Sequence, residues 1–148
     1  MGYTLDRPNE AARVIKELSN NLGTISDDVR VRVSRSPVKI EVEFLVPHDR
    51  YPTRIASFSL QQQIGCCGTL VSTETYVREQ NRGQGLGQAM MDLKEAIAVQ
   101  FGYSSMIASV VKGNLAEIHI LEKRGWLKGF EFTNARTKNV VVYYFKKL

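Results

Sequence analysis

Alternating glycines, in the run Arg82-Gly83-Gln84-Gly85-Leu86-Gly87, separate a strand-like stretch ending at Val77 from a stretch with strong helical periodicity. Nothing else in the 148 residues limits the fold as much. A strand that runs into a helix through glycine belongs to a layered α/β domain, with helices packed on a sheet. Glycine lets the main chain turn with φ > 0 and lets a ligand approach the backbone closely. The first amides of such a helix point outward, where the helix dipole favours an anion. Arg82 adds a permanent positive charge that suits phosphate. These residue types describe a cradle for a diphosphate. The plain alternative is a glycine-rich turn that binds nothing.

The rest of the chain fits a sheet covered by helices. Pro8 opens a helix predicted over 8–22, with Asp6 or Arg7 just before it. Its apolar face is Ala11, Ala12, Val14, Ile15, Leu18 and Leu22, and Gly23 ends it. Val29, Val31 and Val33 alternate with Arg30 and Arg32. After Ser36-Pro37, Val38, Ile40, Val42 and Phe44 alternate with Lys39, Glu41 and Glu43. This period of two predicts a half-buried antiparallel pair, whose Arg-rich and Glu-rich outer faces attract one another. His48, Asp49, Arg50 and Tyr51 lie in a loop between Pro47 and Pro52. Strands follow at 54–62 and 64–77, the latter bending at Gly65 and Gly68. A helix from Gly85 to Phe101 carries Leu86, Met90, Leu93, Ile97 and Phe101 on one face. Then come a strand at 104–111, a helix from Asn114 to Lys123 stopped by Gly125, and strands at 129–134 and 140–147. This order predicts one domain over residues 1–148, a layered α/β (α+β) fold on a mixed sheet.

Composition removes several function classes. No apolar run approaches the ~20 residues of a membrane-spanning helix. The polar start Met-Gly-Tyr-Thr-Leu-Asp-Arg-Pro does not suit a signal peptide, so a cytoplasmic location is expected. The net charge of +5 comes from basic residues spread among acids, without the basic stripe and interleaved aromatics of a nucleic-acid site. Cys66-Cys67 are adjacent and lack nearby His or Cys partners, so neither a disulfide nor a metal site is expected. They read as reduced, partly buried strand residues.

The identity of the diphosphate narrows by elimination. A nucleoside-triphosphate loop needs Gly-Lys followed by Ser or Thr, which is absent. The dinucleotide fingerprint fails in both frames, because Gln88 and Met90 stand where its last glycine belongs. Gln80-x-x-Gly83-x-Gly85 instead matches Arg/Gln-x-x-Gly-x-Gly/Ala, and here the chain resembles the GNAT superfamily of N-acetyltransferases. Glu79 sits where that family commonly has proline. Downstream, Asn114-Leu-Ala-Glu-Ile-His-Ile-Leu-Glu-Lys-Arg-Gly125-Trp126 resembles a second family pattern, in which Asn opens a helix ending in Glu-Lys-x-Gly and an aromatic. The resemblance covers roughly residues 64–148; the first ~60 residues share only a compatible order of elements.

The resemblance implies a mixed, mostly antiparallel sheet of about six or seven strands with three or four helices. It also implies acetyl-CoA as cosubstrate and direct attack of an amine acceptor, a small molecule or a protein, in a ternary complex. Backbone groups of Tyr76, Val77 and Arg78 would bind the pantetheine arm between two splayed strands. The amides of Arg82, Gly83, Gln84, Gly85, Leu86 and Gly87 would bind the pyrophosphate. Asn114 would hydrogen-bond the arm near the thioester, besides serving as a helix cap. An alkyl amine, with a pKa near ~10, must lose a proton before it attacks. Glu74, the only carboxylate on the strand leading into the loop, is the candidate base, against the plain reading of a solvent-facing residue. His48, Asp49 and His119 are weaker candidates.

One departure bears on mechanism. Leu121 stands where many family members carry the tyrosine that protonates the leaving thiolate. A thiol with a pKa near ~8.5 can leave unaided, or Tyr76, Tyr103 or Tyr143 could substitute; spacing does not choose. A non-catalytic module that binds coenzyme A and a protein partner is the alternative. The aromatics Trp126, Phe130, Phe132, Tyr143, Tyr144 and Phe145 read as core or sheet-face residues, with an aromatic acceptor pocket as the sharper option. Sheet-edge or C-terminal strand pairing offers a route to a homodimer.

Overall fold

The fold is taken from a computed structural model, which describes residues 8–20, 28–35 and 39–148. Helix α1 spans Pro8–Asn20, and its Ala11 and Ile15 are fully buried. The expected final residues of this helix, its stop at Gly23, the preceding Asp6 and Arg7, and the Ser36-Pro37-Val38 segment lie outside the described residues.

Strands β1 (Arg30–Arg35) and β2 (Ile40–Val46) pair antiparallel, with Arg32 opposite Glu43. The charged faces meet as the alternation predicts: Arg32 reaches the Glu43 carboxylate at 2.9 Å. Arg54, on β3 (Thr53–Gln62), lies 3.8 Å from Glu41 and 3.9 Å from Glu43. Glu43 is buried, and two guanidiniums offset the cost of removing its charge from water. These basic residues are engaged within the sheet.

Strand β4 is Thr69–Val77, shorter than the expected 64–77. The residues before it form a tight turn in which the Gln63 and Cys66 amides donate to Thr69 and Gln63 carbonyls. Gly65 and Gly68 take φ values of 76° and 93° there. Cys66 and Cys67 are therefore exposed turn residues, not partly buried strand residues. After β4 come a single 3-10 turn at Glu79–Asn81, helix α2 (Leu86–Gln100), β5 (Ser105–Val111), helix α3 (Leu115–Lys123), β6 (Leu127–Thr133) and β7 (Val140–Lys147).

The seven strands form one sheet in the order β1-β2-β3-β4-β5-β7-β6. Every neighbouring pair is antiparallel except β4 and β5. That parallel pair joins only Thr69–Ser72 to Ser105–Ala108. Beyond Ser72 and Ala108 the two strands part, because β4 stays with β3 as far as Val77 while β5 follows β7 as far as Val111. The result is a wedge in mid-sheet. Helix α2 lies against β3 and β4 and touches α1 and α3. Its Met90, Leu93 and Ile97 join Phe44, Phe58, Leu60, Leu70 and Tyr144 in the core.

Glu95 of α2 fastens the C-terminal half to this core. Its carboxylate accepts from Arg124 at 3.0 and 3.2 Å, from Trp126 Nε1 at 3.0 Å and from Lys146 Nζ at 3.2 Å. Burial alone would raise its pKa, but the hydrogen bonds from Arg124, Trp126 and Lys146 outweigh burial and hold it below the ordinary value. A carboxyl whose folded-state pKa is depressed stabilises above its unfolded pKa, and that stability is lost as pH falls through the folded value. Glu95→Gln is expected to lower stability at pH 7 by about 1–3 kcal/mol, because two cations lose their shared anion. It should also flatten the loss of stability below the ordinary carboxyl value of 4.5, which denaturant titrations across acid pH would measure.

Candidate functional site

A cavity of about 570 Å³ opens where β4 and β5 separate. Thr75, Tyr76 and Val77 of β4 form one wall, and Asn114, Ala116, Glu117 and Ile120 at and after the start of α3 form another. The loop residues Asn81, Arg82, Gly83 and Gly85 and the α2 residues from Leu86 to Lys94 complete it.

The loop has the geometry that its glycines allow. Gly83 and Gly85 take φ values of 76° and 82°, in the left-handed region that disfavours side chains. Gly85 is the N-cap of α2, so no side chain closes the helix start. The amides of Gly83, Gly85, Leu86 and Gly87 donate to no acceptor among the described residues. They are the unsatisfied donors that a helix N-terminus presents to an anion. Gly87 has a different reason to be small: a Cβ there would meet Ile120 Cδ1 at 3.0 Å, so it permits close approach of α2 and α3. Arg82 folds back, its Nε donating to the Val77 carbonyl at 3.3 Å, and links the loop to the end of β4. The Asn81 Oδ1 atom is shut off from solvent and lacks a partner, an acceptor left over in the cavity wall.

Deeper in, the cavity holds a cation. Lys94 of α2 is 1% exposed, and its Nζ donates to Thr75 Oγ1 at 2.8 Å. The ammonium also lies 5.2 Å from the centre of the Phe58 ring. Burial pulls its pKa down to about 8, and the nearby Glu117 carboxylate opposes that fall. Burial pushes the Glu117 carboxyl up, and Lys94 opposes that rise. Glu117 accepts from Asn114 Nδ2 at 3.1 Å and returns its backbone amide to Asn114 Oδ1 at 3.3 Å. Asn114 thus caps α3 through a reciprocal pair with the residue three positions on, which leaves one of its amide hydrogens for a ligand.

The acetyltransferase (GNAT) family model matches residues 49–126, more than half of the chain. The chain belongs to the GNAT acetyltransferase family. Solved structures share its fold. One is a GNAT family acetyltransferase from Elizabethkingia anophelis with acetyl-CoA bound: 9% identity, TM-score 0.66, with 83% of this chain and 100% of that one covered. Nourseothricin acetyltransferase is 17% identical, with TM-score 0.60, 83% of this chain and 86% of that one covered. A candidate streptothricin acetyltransferase from Bacillus anthracis, in complex with acetyl coenzyme A, is 13% identical, with TM-score 0.60, 82% and 85% covered. No curated protein matches.

On this GNAT scaffold the expected site residues fall into two groups. Tyr76, Val77, Arg82, Gly83, Gly85, Leu86, Gly87 and Asn114 all line the cavity. Arg78, Gln84 and Glu74 do not. The Arg78 amide donates to Ile55 at 2.8 Å and its carbonyl accepts from Asn81 at 2.9 Å, so its main chain is already engaged. Glu74 departs for a backbone reason. It takes φ 55° in an irregularity where Ser57 pairs with Tyr76 but Ser59 pairs with Thr73. This bulge directs its carboxylate to Lys39 at 2.7 Å and Ser59 at 2.9 Å. Those hydrogen bonds, Lys39 first, hold its pKa below the ordinary value.

The other candidates are also elsewhere. His48, Asp49 and His119 are exposed and absent from the cavity wall. Trp126 and Tyr144 are core residues, whereas Phe130, Phe132 and Tyr143 form an edge-to-face cluster on β6 and β7. None of these aromatics lines the cavity. Sequence reasoning missed Lys94 and Glu117. The available signal was a lysine four residues after Met90 and three before Ile97, inside the apolar stripe of α2.

The contact between Gly87 and Ile120 makes a local prediction. Gly87→Val should crowd the Ile120 side chain at the α2–α3 contact and lower stability by about 1–3 kcal/mol, read as a fall in the denaturation midpoint.

Proposed function

We propose that this protein is an N-acetyltransferase that moves the acetyl group of acetyl-CoA to a primary amine by direct attack in a ternary complex. One observation carries the reading: unsatisfied amides at the start of α2 stand at the mouth of a wedge whose β4 edge, beyond Ser72, has no strand partner among the described residues. The pyrophosphate takes the free amides of Gly83, Gly85, Leu86 and Gly87, while the Arg82 amide, expected in this role, is spent on the Glu79 carbonyl at 3.2 Å. The pantetheine arm enters between β4 and β5 and lies along β4 at Tyr76 and Val77. Asn114 offers its remaining amide hydrogen to the arm.

Glu117 takes the role that the sequence assigned to Glu74. It is the one carboxylate in the cavity wall among the described residues, and a carboxyl raised by burial is a better proton acceptor at neutral pH. The acceptor amine loses its proton to Glu117, directly or through water, and attacks the thioester carbonyl. Among the described residues the wall pairs that single carboxylate with two cations, Arg82 and Lys94, which favours an acceptor with a single amine over a polycation.

Two variants test this. Gly85→Glu puts a side chain at φ 82° and an anion among the amides, so calorimetry should show loss of acetyl-CoA binding. Binding at wild-type affinity would remove the cradle from the account. Glu117→Gln should bind acetyl-CoA but lower thiol release with an amine panel on the order of 10²-fold. Unchanged turnover would take the base role from Glu117.

A further inference from the structure

We propose that Lys94 receives the departing sulfur of coenzyme A: its ammonium, held in place by Thr75, stabilises the thiolate and then protonates it. This rests on the acetyl-CoA reading above and adds the acid that Leu121 does not provide. Leu121 is fully buried in the core and absent from the cavity wall, so the residue at that position takes no part in the site.

The placement follows from the wedge. An arm that runs from a diphosphate at the start of α2 into the cavity points toward the apex where β4 and β5 rejoin at Ser72 and Ala108. Thr75 lies three residues from that apex. Lys94 lies seven residues beyond Gly87, about 10 Å along the helix axis at 1.5 Å per residue. Thr75 and Lys94 both line the cavity that such an arm would fill, so its far end, with the thioester, would come to lie beside this pair. Lys94 has an acceptor in Thr75 and a ring face in Phe58, but no carboxylate within ion-pair distance among the described residues. Charged groups could face it from β3, β4 and α3; of the residues there, only Glu117 of α3 contributes a charge that it feels. An ammonium so placed has donor capacity left for an incoming anion.

The step balances. The amine nitrogen bonds to the carbonyl carbon, the carbon–sulfur bond breaks, and its electron pair goes to sulfur. The thiolate takes a proton from Lys94. The proton shed by the amine goes to Glu117 or water, and Lys94 recovers one before the next turnover. A lysine brought down to about 8 is close to the ~8.5 of a free thiol, so the transfer is nearly even.

The first measurement needs no acceptor. Cys66→Ser/Cys67→Ser protein, altered only in the exposed β3–β4 turn, removes the protein's own thiol signal. Coenzyme A bound to it is titrated through the ultraviolet absorbance of its thiolate, with binding followed separately by calorimetry. The bound thiol is expected to ionise at lower pH than the ~8.5 of a free thiol. Lys94→Met, and Lys94→Gln as a second replacement, should bind coenzyme A and lose that shift. With an amine, their turnover should fall on the order of 10²-fold.

An unshifted thiol in the wild-type side chain at position 94 overturns the proposal, whether or not the variants fold. So does a shift that survives Lys94→Met. Acetylation of Lys94 itself on incubation with acetyl-CoA, seen by mass, would make it an acceptor and equally overturn the donor role. If coenzyme A fails to bind at all, the acetyl-CoA reading falls together with this one; binding without a shift removes Lys94 alone.

Discussion

The parallel pairing of β4 with β5 stops four residues after it begins, and the site depends on that interruption. Two neighbouring strands in a sheet normally satisfy one another's amides and carbonyls, and an unpaired buried edge is costly. Here each strand is held on its far side, β4 by β3 and β5 by β7, so neither can swing to close the gap. The helices then bound the opening, α2 from the loop side and α3 from the other. An extended ligand with its own amides is the natural occupant of such a gap, because it supplies what the missing strand would have supplied.

The glycine loop and the wedge are one device. Gly85 ends the loop as an N-cap without a side chain, and this aims the first turn of α2 at the mouth of the gap. Gly87, the second residue of α2, lets the Ile120 side chain pack close against that helix where the two helices wall the cavity. A side chain at the first position would alter the anion site, and one at the second would crowd Ile120. The alternation of glycines is therefore two requirements, backbone conformation and helix packing, that share one short segment.

What the sequence made legible is what period and spacing encode. The alternation Val31-Arg32-Val33 against Val42-Glu43-Phe44 placed both strands and their charged faces, and Arg32 meets Glu43 in register. The loop and Asn114 came from motifs, and they share one cavity. What escaped is set by local backbone irregularity and by burial on more than one side. A period-two reading assumes a regular strand, so it could not know that the bulge at Glu74 turns that carboxylate to Lys39. It also carried the strand back through Cys66 and Cys67, which the turn around Gly65 and Gly68 places in solvent. The Arg78 main chain looked available only because its pairing with Ile55 is a tertiary fact.

Lys94 shows why a charge inside an apolar stripe is informative. Burying an ammonium costs several kcal/mol that a leucine or methionine at the same place would not incur. Thr75 and the Phe58 ring offset part of that cost, and Glu117 opposes it through space, yet the pKa still falls to about 8. The protein therefore holds a cation at a position where its own residues do not fully stabilise it. A structural lysine would be completed by a contact carboxylate, as Lys146 and Arg124 are by Glu95. The contrast between these two arrangements, one closed within the fold and one left open to the cavity, separates a residue that holds the domain together from one placed to meet a ligand that becomes negatively charged.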